Sequence, residues 1–533
     1  MIQYKLLSIF LFWAISTYSS AQIIPENFRN PILPGFNPDP SVCRVGDDYY
    51  LVTSSFTWFP GIPIYHSKDL VNWKLIGHGI TRPDQFDFDK ITDDNGIWAV
   101  TIRYHEGLFY LITTCNRCGG NFYITAKDPA GEWSDPVWLE EAEGIDPSLF
   151  WEDDGTCYYT GNSWGFTKSW SSQCAVWTQE LDLENQTLVG KRKFLTYGHA
   201  NNARYAKGPH IYKIDGKYLL LMSEGGSAYN HAISAHHGNN ILDTYIADQV
   251  NPVLTHRQLG KDYPVHTIGH ADLVQTQHGD WWAVALGIRD IAGKSGLTRE
   301  TFLCKVEFEN GTPIFNPGYG KVRLAQERPA LPWSPLYEEA TKEDFDTDSL
   351  SLKWHTIRTP KQSFYSLKDG SLSLHLLPEV TDSMVHSSML IQRIKDQDYS
   401  ATTKLSFSTK KDNEQAGLIM YRNNNSYYLL LKEKSRLVLI RKFQGKRVEV
   451  ASCDYDKKDV FLRVDAEGRK IQFCFGTSPE TMTKLGEPQD LEVLAEGNGN
   501  RFNGPGVGVY ATSNGQRSGN SASFDWFEYK PSN

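Results

Sequence analysis

Two aspartates, each followed by a proline, are the residues of this sequence best suited to acid–base chemistry. Asp39 stands in the run Asn37-Pro-Asp-Pro, and Asp146 stands in Ile145-Asp-Pro. Two carboxyl groups facing a sugar-sized gap can hydrolyse a glycosidic bond, because one protonates the leaving oxygen while the other activates water or attacks the sugar. Since Asp-Pro also opens ordinary turns, either aspartate alone is more simply a turn residue, and the chemistry requires a fold that brings both together.

Five repeated stretches supply the elements that could do this. Each joins two β-rich runs through a tight polar turn, and they begin at Asp39, Ala99, Asp146, Lys207 and His270. Successive beginnings are 60, 47, 61 and 63 residues apart. A hairpin with room for two more strands matches one blade of a β-propeller. We therefore predict a five-bladed propeller over residues 22–328, with a plain β-sandwich as the alternative.

A propeller of this kind would gather the reactive residues at one mouth. The first strand of each blade lines the axis, so the residues that open these strands converge, and the ends of the second strands return to the same face. That face is expected to collect both aspartates, Lys207, His270, Glu224 and the aromatic residues Phe56 and Trp58. Equivalent positions in repeats one and three favour a site over two coincidental turns. Opposite walls favour the wider carboxyl spacing of about 6.5–9.5 Å, which gives inversion.

The composition excludes several other classes of protein. The chain has 533 residues, of which 40% are hydrophobic and 22% charged, so it is neither disordered nor a multi-span membrane protein. Its formal net charge is −9 and no basic stripe is present, so no nucleic-acid partner is expected. Aromatic residues make up 13%, which suits all-β cores and surfaces that stack on sugars.

The first 21 residues resemble an export signal. Lys5 precedes a short apolar run over residues 6–15, and Ser19-Ser-Ala21 offers small residues for cleavage. We therefore expect a signal peptide over residues 1–21 and a periplasmic or extracellular mature protein. No later segment is long enough to predict a membrane span.

The C-terminal third predicts a second β domain. Three prolines lie in Gln326–Pro335, which indicates a stiff connector, and we assign residues 329–342 to it. Short, partly alternating β-rich runs then predict an antiparallel β-sandwich of jelly-roll, concanavalin-like type over residues 343–533. Its role, as a lid or as a sugar-binding module, stays open.

The eight cysteines do not form a dense disulfide framework. Cys115 and Cys118 form a Cys-x-x-Cys pair, but no second pair or His pair completes a zinc site. A loop disulfide or two free thiols is the better prediction.

Several motifs occur in an order that resembles family 43 glycoside hydrolases. Residues 30–73 contain NPILPGFNPDPS and SSFTWFPG, and the match continues through GIDPSLFWEDDG at 144–155, GPHIYK at 208–213, EGG at 224–226, GHADLV at 269–274 and TRETFL at 298–303. The resemblance covers about residues 30–325. It implies a five-bladed propeller that inverts configuration, and a β-xylosidase or α-L-arabinofuranosidase activity.

The resemblance also implies roles for individual residues. Asp39 matches the general base, and Asp146 matches the aspartate that orients the acid and tunes its pKa. Arg299 matches an arginine that contacts sugar. His270 matches an axial histidine near a calcium or water site, so no cofactor is expected to be required, although a structural calcium in the channel is compatible with the family. Phe56 and Trp58 match pocket aromatics against which a pentose packs, and Trp98 and His210 are further candidate substrate-binding residues.

One departure from the family pattern affects the proton donor. The family uses the Glu of a Glu-Gly-Pro-His motif, whereas this chain has Lys207-Gly-Pro-His210. Lysine has an ordinary pKa of about 10.4, so it would hold its proton, and an ion pair with Asp146 is expected. Glu224 is the alternative donor, although the family carries that glutamate beside its own donor, which favours a binding or structural role. In a second departure, Trp98-Ala-Val stands where the family has Trp-Ala-Pro.

The leading hypothesis is a secreted, exo-acting and inverting glycoside hydrolase that removes a terminal pentose from plant cell-wall oligosaccharides or polysaccharides. The alternative is a catalytically impaired propeller that binds glycan without cleaving it. A third hypothesis is that Lys207 pairs with the carboxylate of an acidic sugar.

Overall fold

The computed structural model describes residues 24–260, 262–336, 340–495 and 502–532, and almost every element in them is a β-strand. The predicted signal peptide over residues 1–21 lies outside the described residues. One short 3-10 helix is present, Leu491–Val493. Within the described ranges, no helix has the length and hydropathy needed to cross a bilayer.

Strand β1 (Asn27–Arg29) precedes five sheets that follow one another along the chain. The first contains β2 (Ser41–Val45), β3 (Asp48–Val52), β5 (Gly61–Ser67) and β6 (Lys74–Ile80), with the short β4 (Trp58–Phe59) before β5. The second contains β7 (Gly96–His105), β8 (Leu108–Asn116), β9 (Gly120–Ala126) and β10 (Val137–Trp138). The third contains β11 (Ser148–Trp151), β12 (Cys157–Ser163), β13 (Ala175–Asp182) and β14 (Thr187–Thr196). The fourth contains β15 (Lys207–Ile214), β16 (Lys217–Glu224), β17 (Ala232–Gly238), β18 (Ile246–Ala247) and β19 (Leu254–Thr255). The fifth contains β20 (Val265–Gln275), β21 (Trp281–Arg289), β22 (Arg299–Glu309) and β23 (Thr312–Phe315).

These sheets form a closed ring. Strands β2, β7, β11 and β15 contact one another in that order, and β20 contacts both the fourth sheet and β2. Each sheet opens with an antiparallel hairpin; in the first, Arg44 pairs with Tyr49. The ring is fastened where β1 pairs with β24 (Ala325–Glu327). The predicted five-bladed propeller is therefore confirmed.

Neighbouring blades are held together by apolar residues packed between their faces. Ile64, Ile97 and Leu111 belong to the buried cluster between the first and second sheets. Leu51 and Val284 belong to the cluster between the first and fifth sheets. Burial of one such side chain contributes about 1.5–3 kcal/mol, so the ring holds the inner strands, and the residues that open them, in fixed positions.

The C-terminal part forms two packed antiparallel sheets, which confirms the predicted sandwich. The larger sheet is built from β25 (Lys342–Glu343), β27 (Tyr365–Lys368), β28 (Ser371–His375), β30 (Tyr399–Ser406), β35 (Asp459–Glu467), β36 (Lys470–Ser478), β37 (Thr481–Lys484), β38 (Gln489–Asp490) and β40 (Ser521–Pro531). The smaller sheet is built from β29 (Met389–Arg393), β31 (Gln415–Asn423), β32 (Ser426–Glu433), β33 (Arg436–Phe443), β34 (Lys446–Asp454) and β39 (Gly506–Thr512). The described residues 328–336 contain no helix or strand, and the exact domain limits stay a prediction.

The sandwich packs directly on the propeller. Strand β26 (Thr356–Ile357) pairs with β4 of the propeller. Next to it, Arg358 and Asp93 form a fully buried ion pair with Nη2 and Oδ1 2.7 Å apart. The other oxygen of Asp93 accepts hydrogen bonds from the Tyr421 hydroxyl, 3.0 Å away, and from the Asn424 amide, 2.8 Å away. Three groups of the sandwich therefore satisfy the buried carboxylate of the propeller's Asp93.

Candidate active site

A cavity of about 530 Å³ opens at the mouth of the propeller. Asp39, Ala99, Asp146 and Lys207 line it. These are four of the five residues predicted to open the inner strands. The fifth, His270, lies just below, with Nδ1 4.0 Å from Oδ1 of Asp39. The structure thus brings together the residues that the repeats placed at one mouth.

Three of these residues share an unusual backbone conformation. Asp39, Asp146 and His270 have φ values of 52°, 54° and 50°. This left-handed region is uncommon for residues other than glycine, although Asp and His enter it more readily than most. Such strain persists only where the surrounding structure imposes it, and it is concentrated at functional sites. The equivalent positions of three blades therefore aim their side chains by the same backbone geometry.

Asp39 is a buried carboxylate held by hydrogen bonds from two side chains. Arg299 Nη1 lies 3.0 Å from Oδ1, and the Ser54 hydroxyl donates to Oδ2 at 2.7 Å. Burial by itself would raise the pKa of Asp39, but the charges of Arg299, His270 and Lys207 and the hydrogen bond from Ser54 outweigh it and lower the pKa to about 2. Asp39 is therefore ionised at neutral pH, as a general base must be.

Lys207 and Asp146 form another part of the wall. The Nζ of Lys207 donates to Oδ2 of Asp146 at 3.3 Å, and both side chains are largely buried. The ion pair expected from the sequence is therefore present. An ammonium group occupies the position at which the family resemblance places a carboxylic acid.

Glu224, the alternative donor, lies outside the cavity lining. Its carboxylate accepts hydrogen bonds from the His199 amide at 2.9 Å and the Ser234 hydroxyl at 2.7 Å, and it also contacts the His199 ring. Burial favours a higher pKa for Glu224, but the hydrogen bonds and the charge of His199 produce a net lowering of the pKa. Glu224 is thus an ionised structural carboxylate turned towards β17. This differs from its expected place at the mouth.

Two predicted substrate-binding residues also lie elsewhere. Trp58 packs in the interface with the sandwich, where its indole nitrogen donates to Asn503 Oδ1 at 2.6 Å. His210 is in the channel below the cavity, with Nδ1 2.9 Å from Arg103 Nη2. Burial lowers the pKa of His210 to about 3, so its ring is neutral. By contrast, Phe56, Trp98 and Arg299 line the cavity as expected.

The cavity is also lined by residues that the sequence did not predict to bind substrate. Trp164 follows the second strand of blade three and is 39% exposed at the rim. Asn116 and Tyr205 line the cavity as well. Phe502 of the sandwich completes the wall: its carbonyl accepts from Arg299 Nη2 at 3.2 Å, and its ring lies 4.9 Å from the guanidinium. No local pattern around Phe502 predicted this contact.

The channel residues do not fit a calcium site. Arg103 reaches the axis and binds both oxygens of Asp272, at 2.8 and 3.0 Å. Calcium takes about six to eight oxygen ligands, yet the carboxylates whose charges act on the axial histidine, those of Asp39 and Asp146, are paired with Arg299 and Lys207. Asp272 is likewise paired with Arg103. In the part of the chain that the structure describes, no three His, Cys, Asp or Glu side chains are grouped as a metal site. A calcium at His270 stays a prediction that this geometry does not support.

Comparisons with known proteins agree with this architecture. The model for glycosyl hydrolases family 43 matches residues 28–313, and that for the beta xylosidase C-terminal concanavalin A-like domain matches residues 342–530. The chain is 40% identical to a xylosidase/arabinosidase of Butyrivibrio fibrisolvens, over 94% of this chain and 98% of that protein. It is 38% identical to the non-reducing end alpha-L-arabinofuranosidase BoGH43B of Bacteroides ovatus, over 96% of each. The solved structure of the GH43B protein from the Bacteroides ovatus xyloglucan locus superposes with a TM-score of 0.88 at 36% identity, covering 95% of this chain and 100% of that one.

Proposed function

Because the chain belongs to family 43 of the glycosyl hydrolases, we propose that it removes a terminal pentose, β-D-xylose or α-L-arabinofuranose, from plant cell-wall oligosaccharides with inversion. The observation that carries this proposal is the buried, ionised Asp39 at the cavity, held by Arg299 beside aromatic walls. The cavity volume of about 530 Å³ suits a small-molecule site, and the named relatives act on xylosides or arabinosides.

In the proposed reaction, Asp39 accepts a proton from a water molecule as the water oxygen attacks the anomeric carbon. The glycosidic bond breaks on the opposite side, and the leaving oxygen must take up a proton. The ammonium of Lys207, which donates to Asp146 at 3.3 Å, is the group in the cavity wall that can supply this proton, but an ammonium is a much weaker acid than the carboxylic acid it replaces. We therefore expect slow turnover of natural glycosides, whose leaving groups need protonation, and faster turnover of activated aryl glycosides.

One observation favours the second candidate, a propeller that binds glycan without cleaving it. Lys207 is engaged by Asp146, and Glu224 is bound by His199 and Ser234, so neither provides a carboxylic acid to the cavity. General acid assistance typically contributes about 10²–10⁴-fold to the rate, and its loss could leave only binding.

We also propose a periplasmic or extracellular location. The export-like pattern of residues 1–21 supports it. The disulfide between Cys115 and Cys118 supports it too, because such bonds persist mainly in oxidising compartments.

The test is release of free pentose by the purified protein from xylo- and arabino-oligosaccharides. Asp39→Ala should abolish release, whereas Asp47→Ala, on an exposed turn of the same blade, should leave it unchanged. Proton NMR of the first product formed should show the inverted anomer. Measurable glycan binding with no release from any of these substrates would refute hydrolysis and support the binding candidate.

A further inference from the structure

We propose that the side-chain amide of Asn116 is a sugar-contacting specificity residue, and that the Cys115–Cys118 disulfide holds it in position. This inference rests on the proposed function of the cavity as a pentoside site. It assigns a role to the Cys-x-x-Cys pair that the catalytic argument leaves unused.

Asn116 is fixed on one side by the strand beside it. It is the last residue of β8 and pairs with Gly96 of β7. The backbone of Gly96 lies so close to Phe56 that a Cβ atom there would be 2.4 Å from the Phe56 carbonyl oxygen. Phe56 in turn packs near Arg299, with the guanidinium 5.7 Å from its ring. The position of Asn116 is therefore tied, through one strand pair, to the residues that hold the catalytic carboxylate.

The Asn116 amide is available to a ligand. The side chain lines the cavity and is partly exposed, and none of its hydrogen-bonding atoms has a partner within the described ranges. An amide offers two donor hydrogens and two acceptor lone pairs. That set matches the adjacent hydroxyl groups of a sugar, each of which can donate and accept.

The turn that follows Asn116 has an uncommon backbone conformation and is fixed by a disulfide bond. Arg117, Gly119 and Gly120 have φ values of 66°, 134° and 93°, so most of the turn is left-handed. The disulfide joins this turn to the fully buried Cys115, and the Cys118 amide donates to the Cys115 carbonyl at 3.2 Å. Opening the bond would free Asn116 to move away from the sugar while leaving Asp39 in place.

The experiment measures glycan affinity by calorimetry in an Asp39→Ala background, so that xylobiose or arabinobiose is not consumed. Asn116→Ala should weaken binding about 3- to 10-fold, the range of one uncharged hydrogen bond. The double variant Cys115→Ser/Cys118→Ser should weaken it by a similar factor. Asn185→Ala on an exposed turn and Cys453→Ser in the sandwich, both remote from the cavity, should leave affinity unchanged.

The combined variant provides the decisive measurement. If the disulfide acts through Asn116, adding Asn116→Ala to the serine pair should weaken binding less than 2-fold further, because coupled residues are not additive. Fully additive losses, or a lower melting temperature with unchanged affinity, would overturn the inference. If the serine pair does not fold, the Asp39→Ala protein with Cys115 and Cys118 reduced and alkylated, checked by mass, takes its place. If the background protein binds neither sugar, the proposed function fails as well; if it binds and Asn116→Ala has no effect, only this inference fails.

Discussion

Replacing Lys207 by glutamate tests directly whether the acid catalyst is absent. The ammonium of Lys207 lies 3.3 Å from a carboxylate oxygen of Asp146, so the new carboxyl would stand beside an existing one. Two neighbouring carboxylates cannot both ionise easily, which raises the pKa of one of them and suits it to donate a proton. General acid catalysis contributes about 10²–10⁴-fold, so we expect kcat on xylo- or arabino-oligosaccharides to rise at least about 100-fold, or about 2.7 kcal/mol of transition-state stabilisation.

The assay compares two classes of substrate. An aryl pentoside with a good leaving group needs little protonation, so Lys207→Glu should raise its turnover far less than that of an oligosaccharide. The variant should also acquire a fall in kcat/KM at high pH, since its new acid must be protonated. Lys217→Glu, at the far end of the same hairpin and exposed, is the matched control and should change neither. An equal rise for both substrates, or no rise despite wild-type activity, would refute the reasoning and show that another donor operates.

Four further predictions concern the base, the sandwich, the interface and the channel. Arg299→Gln removes the main charge that lowers the pKa of Asp39, so burial should raise that pKa from about 2 and the acid limb of kcat/KM should move to higher pH. Phe502→Ala should lower kcat/KM about 3- to 30-fold in fixed-time kinetic assays, because it removes one cation–π contact worth about 0.5–2 kcal/mol. Arg358→Met leaves the buried Asp93 without its cationic partner, so urea unfolding should show a loss of about 3–5 kcal/mol. Incubation with EDTA should leave the rate unchanged, because the channel holds an arginine–carboxylate ion pair.

The stability prediction for Arg358 has a matched control. Arg82→Met removes ion pairs whose carboxylates are more than 70% exposed, so it should cost at most about 1 kcal/mol. If Arg299→Gln does not shift the acid limb of the kcat/KM profile, the pKa of a group other than Asp39 determines that limb. A stability loss at Arg358 no larger than that at Arg82 would contradict the buried-charge argument. Activity that disappears with EDTA and returns with Ca²⁺ would show that a metal binds despite the channel geometry.

The repeats predicted the ring because hairpin turns and β-rich runs are local features. They also located Asp39, Asp146 and Lys207, since a residue that opens an inner strand must face the mouth. The position of Glu224 at a strand end predicts the mouth, but side chains alternate between the two faces along a strand. Its neighbour Ser223 accepts a hydrogen bond from the His270 amide at the axis, so Glu224 had to point the other way, towards β17.

Contacts between the two domains could not be predicted in this way. The strand end that carries Trp58 predicts a place in the cavity, but its hydrogen-bond partner Asn503 is 445 positions away in the chain and holds it in the interface with the sandwich. Phe502 lies in no recognisable local motif, and its place in the cavity wall depends on how the sandwich packs against the propeller. Long-range packing of this kind leaves no periodic signal in a single sequence.

The contact between Arg299 and Phe502 joins residues that are 203 positions apart. A growing polypeptide therefore completes the ring and Asp39 long before the aromatic residue that packs on the guanidinium has been synthesised. The Asp39 carboxylate acquires its final surroundings only when the second domain has folded against the first. The cavity is consequently completed late in biosynthesis, and a chain truncated before that point would keep Asp39 but lack the wall that Phe502 supplies.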